Sequence, residues 1–214
     1  MSPTPTIWTI GHSNHALEHF LELLRKHAIQ VVADVRSTPF SRRHPHFNRE
    51  RLKAALANTS ANAGGGAGAG IDYIFLGAEL GARSPDRNCY DAEGRVVYAR
   101  LAETEAFKAG LDKLIAEAAN RRVAVMCAEK DPLSCHRTIL VTPRLIARGL
   151  TVLHILGDGA IEPHSPATED RLISEMFKRE QPDLFRSRDE ILAEAFQRRE
   201  AAVAYRMPED TRAT

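Results

Sequence analysis

Five short, β-branched apolar runs alternate with segments whose apolar residues recur at helical spacing, and that alternation constrains the fold more than any other feature. The runs are Ile7–Ile10, Ile29–Val35, Ile71–Leu76, Val123–Cys127 and Thr151–Leu156. Ile29–Val35 is apolar on both of its faces, as a strand buried between two layers must be. Leu17, Phe20, Leu21, Leu24 and Ala28 mark a helix after the first run, and Asn48–Ala57 a short one after the second. Phe107, Leu111, Leu114, Ile115 and Ala118 mark an amphipathic helix before the fourth. A helix over Leu133–Arg148 follows, ending at Gly149, a residue suited to the position after a helix C-terminus. Pro143 inside it removes the bond to the Ile139 carbonyl and predicts a kink. The pattern predicts an α/β fold: a single domain with a mostly parallel sheet of about five strands, helices on both faces and right-handed crossovers.

At 214 residues the chain is long enough for one sizeable core. Residues 1–160 are expected to form the α/β core, and 161–214 a helical extension docked on it. Two helices are predicted there, Thr168–Lys178 and Arg188–Tyr205, separated by Pro182-Asp183-Leu184-Phe185. Leu172, Ile173, Met176 and Phe177 give the first an apolar docking face. Ala61–Gly70, with five glycines, reads as a flexible loop, and Gly77–Arg95 as a long excursion. No apolar run approaches the roughly eighteen residues that span a bilayer, and Met1–Thr6 does not resemble a secretory leader. Three cysteines are too few for a disulfide scaffold, so a cytoplasmic protein without membrane association is expected.

Ligands of such sheets bind beyond the carboxyl ends of the strands, and the unusual residues fall there. The first run ends in Gly11-His12-Ser13-Asn14, where Ser13 or Asn14 is suited to cap a helix and His12 is not explained by capping. His15 and His19 lie one helical turn apart with no third metal ligand nearby and read as a solvated face. The second run ends in Asp34-Val35-Arg36. Between Val35 and Lys53 six basic residues face Glu50 alone, in a chain whose net charge is only +1. That overall balance excludes nucleic-acid binding through bulk charge, whereas Arg36, Arg42 and Arg43 beside Ser and Thr suit a local anion. Asp34 is placed to pair with one of these arginines and orient it.

The fourth run opens Cys127-Ala128-Glu129-Lys130-Asp131-Pro132-Leu133-Ser134-Cys135-His136-Arg137. Cys135 at a helix start beside His136 and Arg137 is expected to favour the thiolate, and the helix end to attract an anion. Cys127, closing a buried strand, is expected to stay protonated. Neither cysteine has an arginine six residues on, as the phosphatase loop requires, and their spacing is not that of a redox C-x-x-C. A zinc site from Cys127, Cys135 and His136 meets a geometric objection, since adjacent helical residues point about 100° apart. His12 is an alternative third ligand, and no metal is assigned. The glycine run is not a dinucleotide fingerprint, and no motif names a cofactor.

Thr9-Ile10-Gly11-His12-Ser13, Asp34-Val35-Arg36-Ser37-Thr38-Pro39 with Ser41-Arg42, Leu80-Gly81, Cys127-Ala128-Glu129 and Cys135-His136-Arg137 together resemble the family known as domain of unknown function 488. The resemblance spans roughly Ile7 to Asp158, and Asp183-Leu184-Phe185 fits it too. It implies little about function, and the Ala/Gly stretch is longer than the family's usual connection. The residues themselves point to an enzyme acting on a phosphate-bearing or other anionic substrate, such as a nucleotide or nucleic-acid end. Cys135, His136, Glu129 and His12 are its expected chemical groups; Ser13, Asp34, Arg36, Arg42, Arg43 and Arg137 are expected to bind substrate. The alternative is a nucleic-acid-binding or regulatory module whose cysteines hold metal or sense redox state.

Overall fold

A computed structural model describes residues 5–59, 70–178 and 185–208. Six strands form one sheet: β1 (Thr6–Gly11), β2 (Val31–Asp34), β3 (Asp72–Phe75), β4 (Val123–Cys127), β5 (Thr151–Ile155) and β6 (Ile161–Pro163). Their spatial order is β3-β2-β4-β1-β5-β6, and all pairings are parallel except that of β5 with β6. The α/β architecture is as the sequence predicts, with one strand more. The extra strand, β6, is three residues long and carries Glu162 and Pro163, so no apolar run announces it. It returns from β5 through a turn in which Gly159 adopts φ +79°, a conformation open to glycine at no steric cost.

Alternate strand residues face two apolar layers. On one face Val31, Ala33, Val123, Val125 and Val152 pack with Phe107, Leu111 and Leu114 of α4 (Glu105–Ala118). Leu145 of α5 (Thr142–Ile146), Leu172 of α6 (Pro166–Met176) and Ala195 of α7 (Arg188–Val203) join the same layer, as do Tyr98 and Leu101 of α3 (Tyr98–Ala102). On the other face Trp8, Ile10, Val32, Ala124 and Met126 pack with Phe20 and Leu24 of α1 (Leu17–Lys26) and Leu52 and Leu56 of α2 (Arg49–Ala57). Among the described residues no helix is long and apolar enough to cross a membrane.

The long helix expected over Leu133–Arg148 is not formed as one element. Pro132–Ser134 make a single 3₁₀ turn, Cys135 is extended at φ −136° and ψ 144°, and Arg137–Val141 form a wide π turn that runs into α5. Pro143 therefore follows directly on the widened turn, at the second position of α5, and that turn takes the place of a kink. The Arg137 carbonyl accepts both the backbone N–H of Thr142, which closes the wide turn, and its Oγ1 hydroxyl at 2.9 Å. Gly149 (φ +81°) closes the segment as expected. The glycine-rich stretch up to residue 69 and the separator Pro182-Asp183-Leu184 lie outside the described residues.

Candidate active site

The sheet register sets Gly11 beside Cys127, and Asp34 beside Met126 and Phe75, so β1, β2, β3 and β4 end nearly level with one another. His12, Arg36 and Ala128 consequently leave the same edge. The ladder continues past the strand ends, with His12 N–H donating to the Cys127 carbonyl (2.9 Å) and Ser13 N–H to that of Ala128 (2.8 Å). Gly11 is required by its neighbour: a Cβ there would lie 1.8 Å from the Glu129 carbonyl oxygen. Gly81 plays the same part under the next loop, where a Cβ would come within 2.4 Å of Ser37 Oγ.

Asp34 is fully buried, and its carboxylate is a hub. Oδ1 accepts from the Arg36 amide (3.0 Å) and Nε (2.9 Å); Oδ2 accepts from Arg36 Nη2 (2.6 Å) and the Tyr73 hydroxyl (2.7 Å). Arg36 Nη2 also donates to the Phe47 carbonyl at 2.9 Å. Its Nη1 donates to His12 Nε2 at 3.2 Å, and His12 Nδ1 donates to the Ser13 carbonyl at 2.9 Å. These partners assign one tautomer to His12, protonated on Nδ1. The ring stacks on Phe47, centroids 4.4 Å apart. Burial, aided by the Arg36 charge, holds its pKa down to about 4. Burial also pushes the Tyr73 phenol up. Arg36 thus orients His12 and closes the Asp34 charge while lining the cleft.

Behind this layer lie Cys127, Cys135 and His136, whose residues are 5%, 1% and 9% exposed. His136 Nε2 donates to the Val35 carbonyl (3.2 Å), which turns Nδ1 toward Cys127 Sγ (3.5 Å) and Cys135 Sγ (3.9 Å). The Arg137 amide donates to Cys135 Sγ at 3.4 Å. Its guanidinium is buried and donates to the carbonyls of Glu129 (2.6 Å) and Lys130 (3.3 Å), while its Nε has no hydrogen-bond partner among the described residues. Cys127 is held well above the usual thiol range, first by donating its S–H to Cys135 and then by burial. Cys135 lies well below it: burial opposes the charge, but the Cys127 S–H and the Arg137 and His136 charges outweigh it. Cys135 also stands at the start of the helical run that follows it: the Arg137 amide donates to its sulfur, and the amides of Thr138 and Ile139 donate to its carbonyl. Burial and then the Cys135 charge raise Glu129.

A cleft of about 670 Å³ opens at this edge. His12, Ser13, Arg36, Cys127 and Glu129 line it, with Arg43, Arg83 and Lys130 supplying positive charge around them. Of the sequence-predicted residues, Cys135, His136 and Arg137 are buried and outside the lining, Asp34 is buried behind Arg36, and Arg42 is exposed and outside the lining. Arg83, Lys130 and Tyr73 are additions. Lys130 lies inside the cysteine motif. Arg83 follows Leu80-Gly81 by two residues, its guanidinium stacked 4.2 Å from the Tyr205 ring centroid. Nothing local marks Tyr73 as a partner of Asp34. Asp131 caps Leu133 N–H (2.9 Å) and pairs with Arg171 of α6, so α6 braces the loop that carries Glu129 and Lys130.

A family model described as Domain of unknown function DUF488 matches residues 16–142, more than half of the chain. The match includes Asp34, Arg36, Cys127, Glu129, Cys135 and His136 and begins after His12 and Ser13. No curated protein and no solved structure matches the chain.

Proposed function

We propose that this chain, which belongs to the DUF488 family, is an enzyme acting on a phosphate-bearing or similarly anionic small substrate, such as a nucleotide or a nucleic-acid end, bound in the cleft at the carboxyl edge of the sheet. The observation that carries this reading is the make-up of that cleft. Three strand ends converge on His12, Arg36 and Cys127, while Arg43, Arg83 and Lys130 ring a space of about 670 Å³, within the range of small-molecule sites. An anionic group is held by Arg43, Arg83 and Lys130, whose donors match phosphate oxygens. Glu129, at the rim with its carboxyl raised by burial, serves as proton acceptor or donor, because a carboxyl nearer neutrality exchanges protons more readily. His12 is neutral at physiological pH and has both ring nitrogens engaged, so it holds the cleft wall and Arg36 in a fixed position beside the bound group.

The test pairs binding with turnover. Inorganic phosphate and nucleoside monophosphates are titrated calorimetrically, and the same nucleotides and 5′-phosphorylated oligonucleotides are followed by chromatography for conversion. Arg83→Ala is expected to weaken phosphate binding roughly tenfold, the value of one charge-assisted hydrogen bond. Glu129→Gln is expected to lower turnover by about 100-fold or more while binding persists. Failure of every phosphate-bearing probe to bind sinks the reading. Affinity that rises with oligonucleotide length and collapses with salt, without turnover, transfers the cleft to the nucleic-acid-binding alternative.

A further inference from the structure

The geometry points to Cys127, Cys135 and His136 as three protein ligands of a divalent, thiophilic metal ion of the zinc type, seated beneath the cleft floor. The three ligand atoms lie within 4.8 Å of one another. A tetrahedral ion with bonds of about 2.3 Å to sulfur and 2.0 Å to nitrogen has an N···S edge of about 3.5 Å. The edges here, from His136 Nδ1 to the two sulfurs, are 3.5 and 3.9 Å.

The orientation of each ligand has a cause in the backbone. Cys127 ends β4 and Cys135 is extended, whereas His136 is helical at φ −60° and ψ −26°. The step between two conformations lets adjacent side chains converge, which two successive helical residues could not do, so the objection raised from the sequence falls away. The Val35 carbonyl takes the Nε2–H of His136 and leaves the Nδ1 lone pair facing the sulfurs, the arrangement that metal-ligating histidines adopt. The Arg137 amide already donates to Cys135 Sγ, stabilising negative charge on that sulfur. His12, the other third ligand considered, has its Nε2 engaged by Arg36.

Two thiolates and an imidazole favour zinc and other thiophilic ions over magnesium or calcium. Three protein ligands leave one tetrahedral position, the pattern of catalytic rather than structural zinc sites. Cys127 is the ligand that also lines the cleft, which places the site against the cleft floor. Assigning the fourth position to substrate or water rests on the cleft being the active site; the ligand set does not.

The full-length chain, kept reduced and purified without chelator, is expected to carry about one zinc or similar ion per chain by elemental analysis. After stripping, Co(II) titration should saturate near one equivalent. It should produce thiolate-to-cobalt charge-transfer absorption and the intense d–d bands of a tetrahedral ion, both abolished by added Zn(II). Cys135→Ser and His136→Gln should each lose these bands, and Cys89→Ser should keep them; circular dichroism restricts the comparison to folded variants. The wild-type titration stands without any variant. Absence of Co(II) and Zn(II) uptake by the folded, reduced chain overturns the site, as does uptake unchanged in folded Cys135→Ser and His136→Gln, or a Cys127–Cys135 disulfide whose reduction restores no uptake. Phosphate binding to the stripped chain separates the two readings. If phosphate binds and metal does not, only the metal site falls; if metal binds and no phosphate probe does, only the anionic-substrate reading falls.

Discussion

A carboxylate with no exposed surface is tolerated only when its charge and lone pairs are matched, and Asp34 meets that condition through Arg36 and Tyr73. Removing one partner leaves the other as an uncompensated buried charge. Asp34→Ala is therefore expected to lower unfolding stability by about 3–5 kcal/mol, measured by urea denaturation. Adding Arg36→Met to it should recover most of that loss, since the stranded guanidinium is what the single variant suffers from. A single variant within about 1 kcal/mol of the parent, or a double variant weaker than either single one, would show that the pair is not closed as described. The same pair matters for the cleft because Arg36 also holds His12 Nε2. At residue scale, then, Asp34 acts on His12 through Arg36 and does not itself line the cleft.

Among the elements, the segment from Pro132 to Ile146 departs furthest from its local pattern. Its apolar spacing is helical, yet a 3₁₀ turn, an extended residue, a π turn and a short α-helix share it. Burial explains the departure: Leu133, Cys135, Ile139, Leu140, Val141 and Leu145 all enter the layer on one face of the sheet, and a regular helix would carry Cys135 away from Cys127 and His136. Pro143 discriminates between the two descriptions. In a continuous helix, Pro143→Ala would restore a bond and relieve a clash, gaining up to about 3 kcal/mol. Here the π turn already accommodates the missing N–H, and the substitution is expected to cost about 0.4–1 kcal/mol by loosening the unfolded chain. A thermal unfolding midpoint that rises markedly in this variant would contradict the observed geometry.

Across the whole molecule, a polar chain crosses the sheet where β1, β5 and β6 meet. Thr9 Oγ1 bonds His154 Nδ1 at 2.8 Å, and His154 Nε2 faces His164 Nδ1 at 3.1 Å. Burial first, then the charges of His164, Arg137 and Arg171, hold the His154 pKa at about 3 against an ordinary 6.5. The sign follows from the lowered folded value: below pH 6.5 the unfolded chain takes up a proton that the native chain refuses. The stabilisation is complete above pH 6.5 and is lost as pH falls toward 3, at about 1.4 kcal/mol per pH unit from this group. Unfolding free energies measured at several pH values in that window should show a shallower slope for His154→Gln than for the parent. Superimposable slopes would mean that His154 titrates alike in both states.

The sequence by itself determined the architecture, because strand and helix periodicity are local properties of the chain. The β-branched runs at Val31–Asp34 and Val123–Cys127 could bury both faces only inside a parallel sheet with helices on each side. It also brought His12, Arg36, Cys127 and Glu129 to notice, as polar or reactive residues at the ends of apolar strands, and the resemblance to its family rested on those residues. Contacts set by register, packing and loop path were decided only in three dimensions. Strand β6 has no apolar signature because its pairing with β5, not its own burial, makes it a strand. Arg83 reaches the cleft through a loop whose course depends on Gly81 passing under Ser37. Tyr73 meets Asp34 because β3 lies beside β2, a register no local pattern encodes. The convergence of Cys135 and His136 on Cys127 depends on backbone angles that tertiary burial imposes on a stretch whose own spacing favours a helix, since the gain from burying six apolar residues exceeds the small per-residue preference for regular helix.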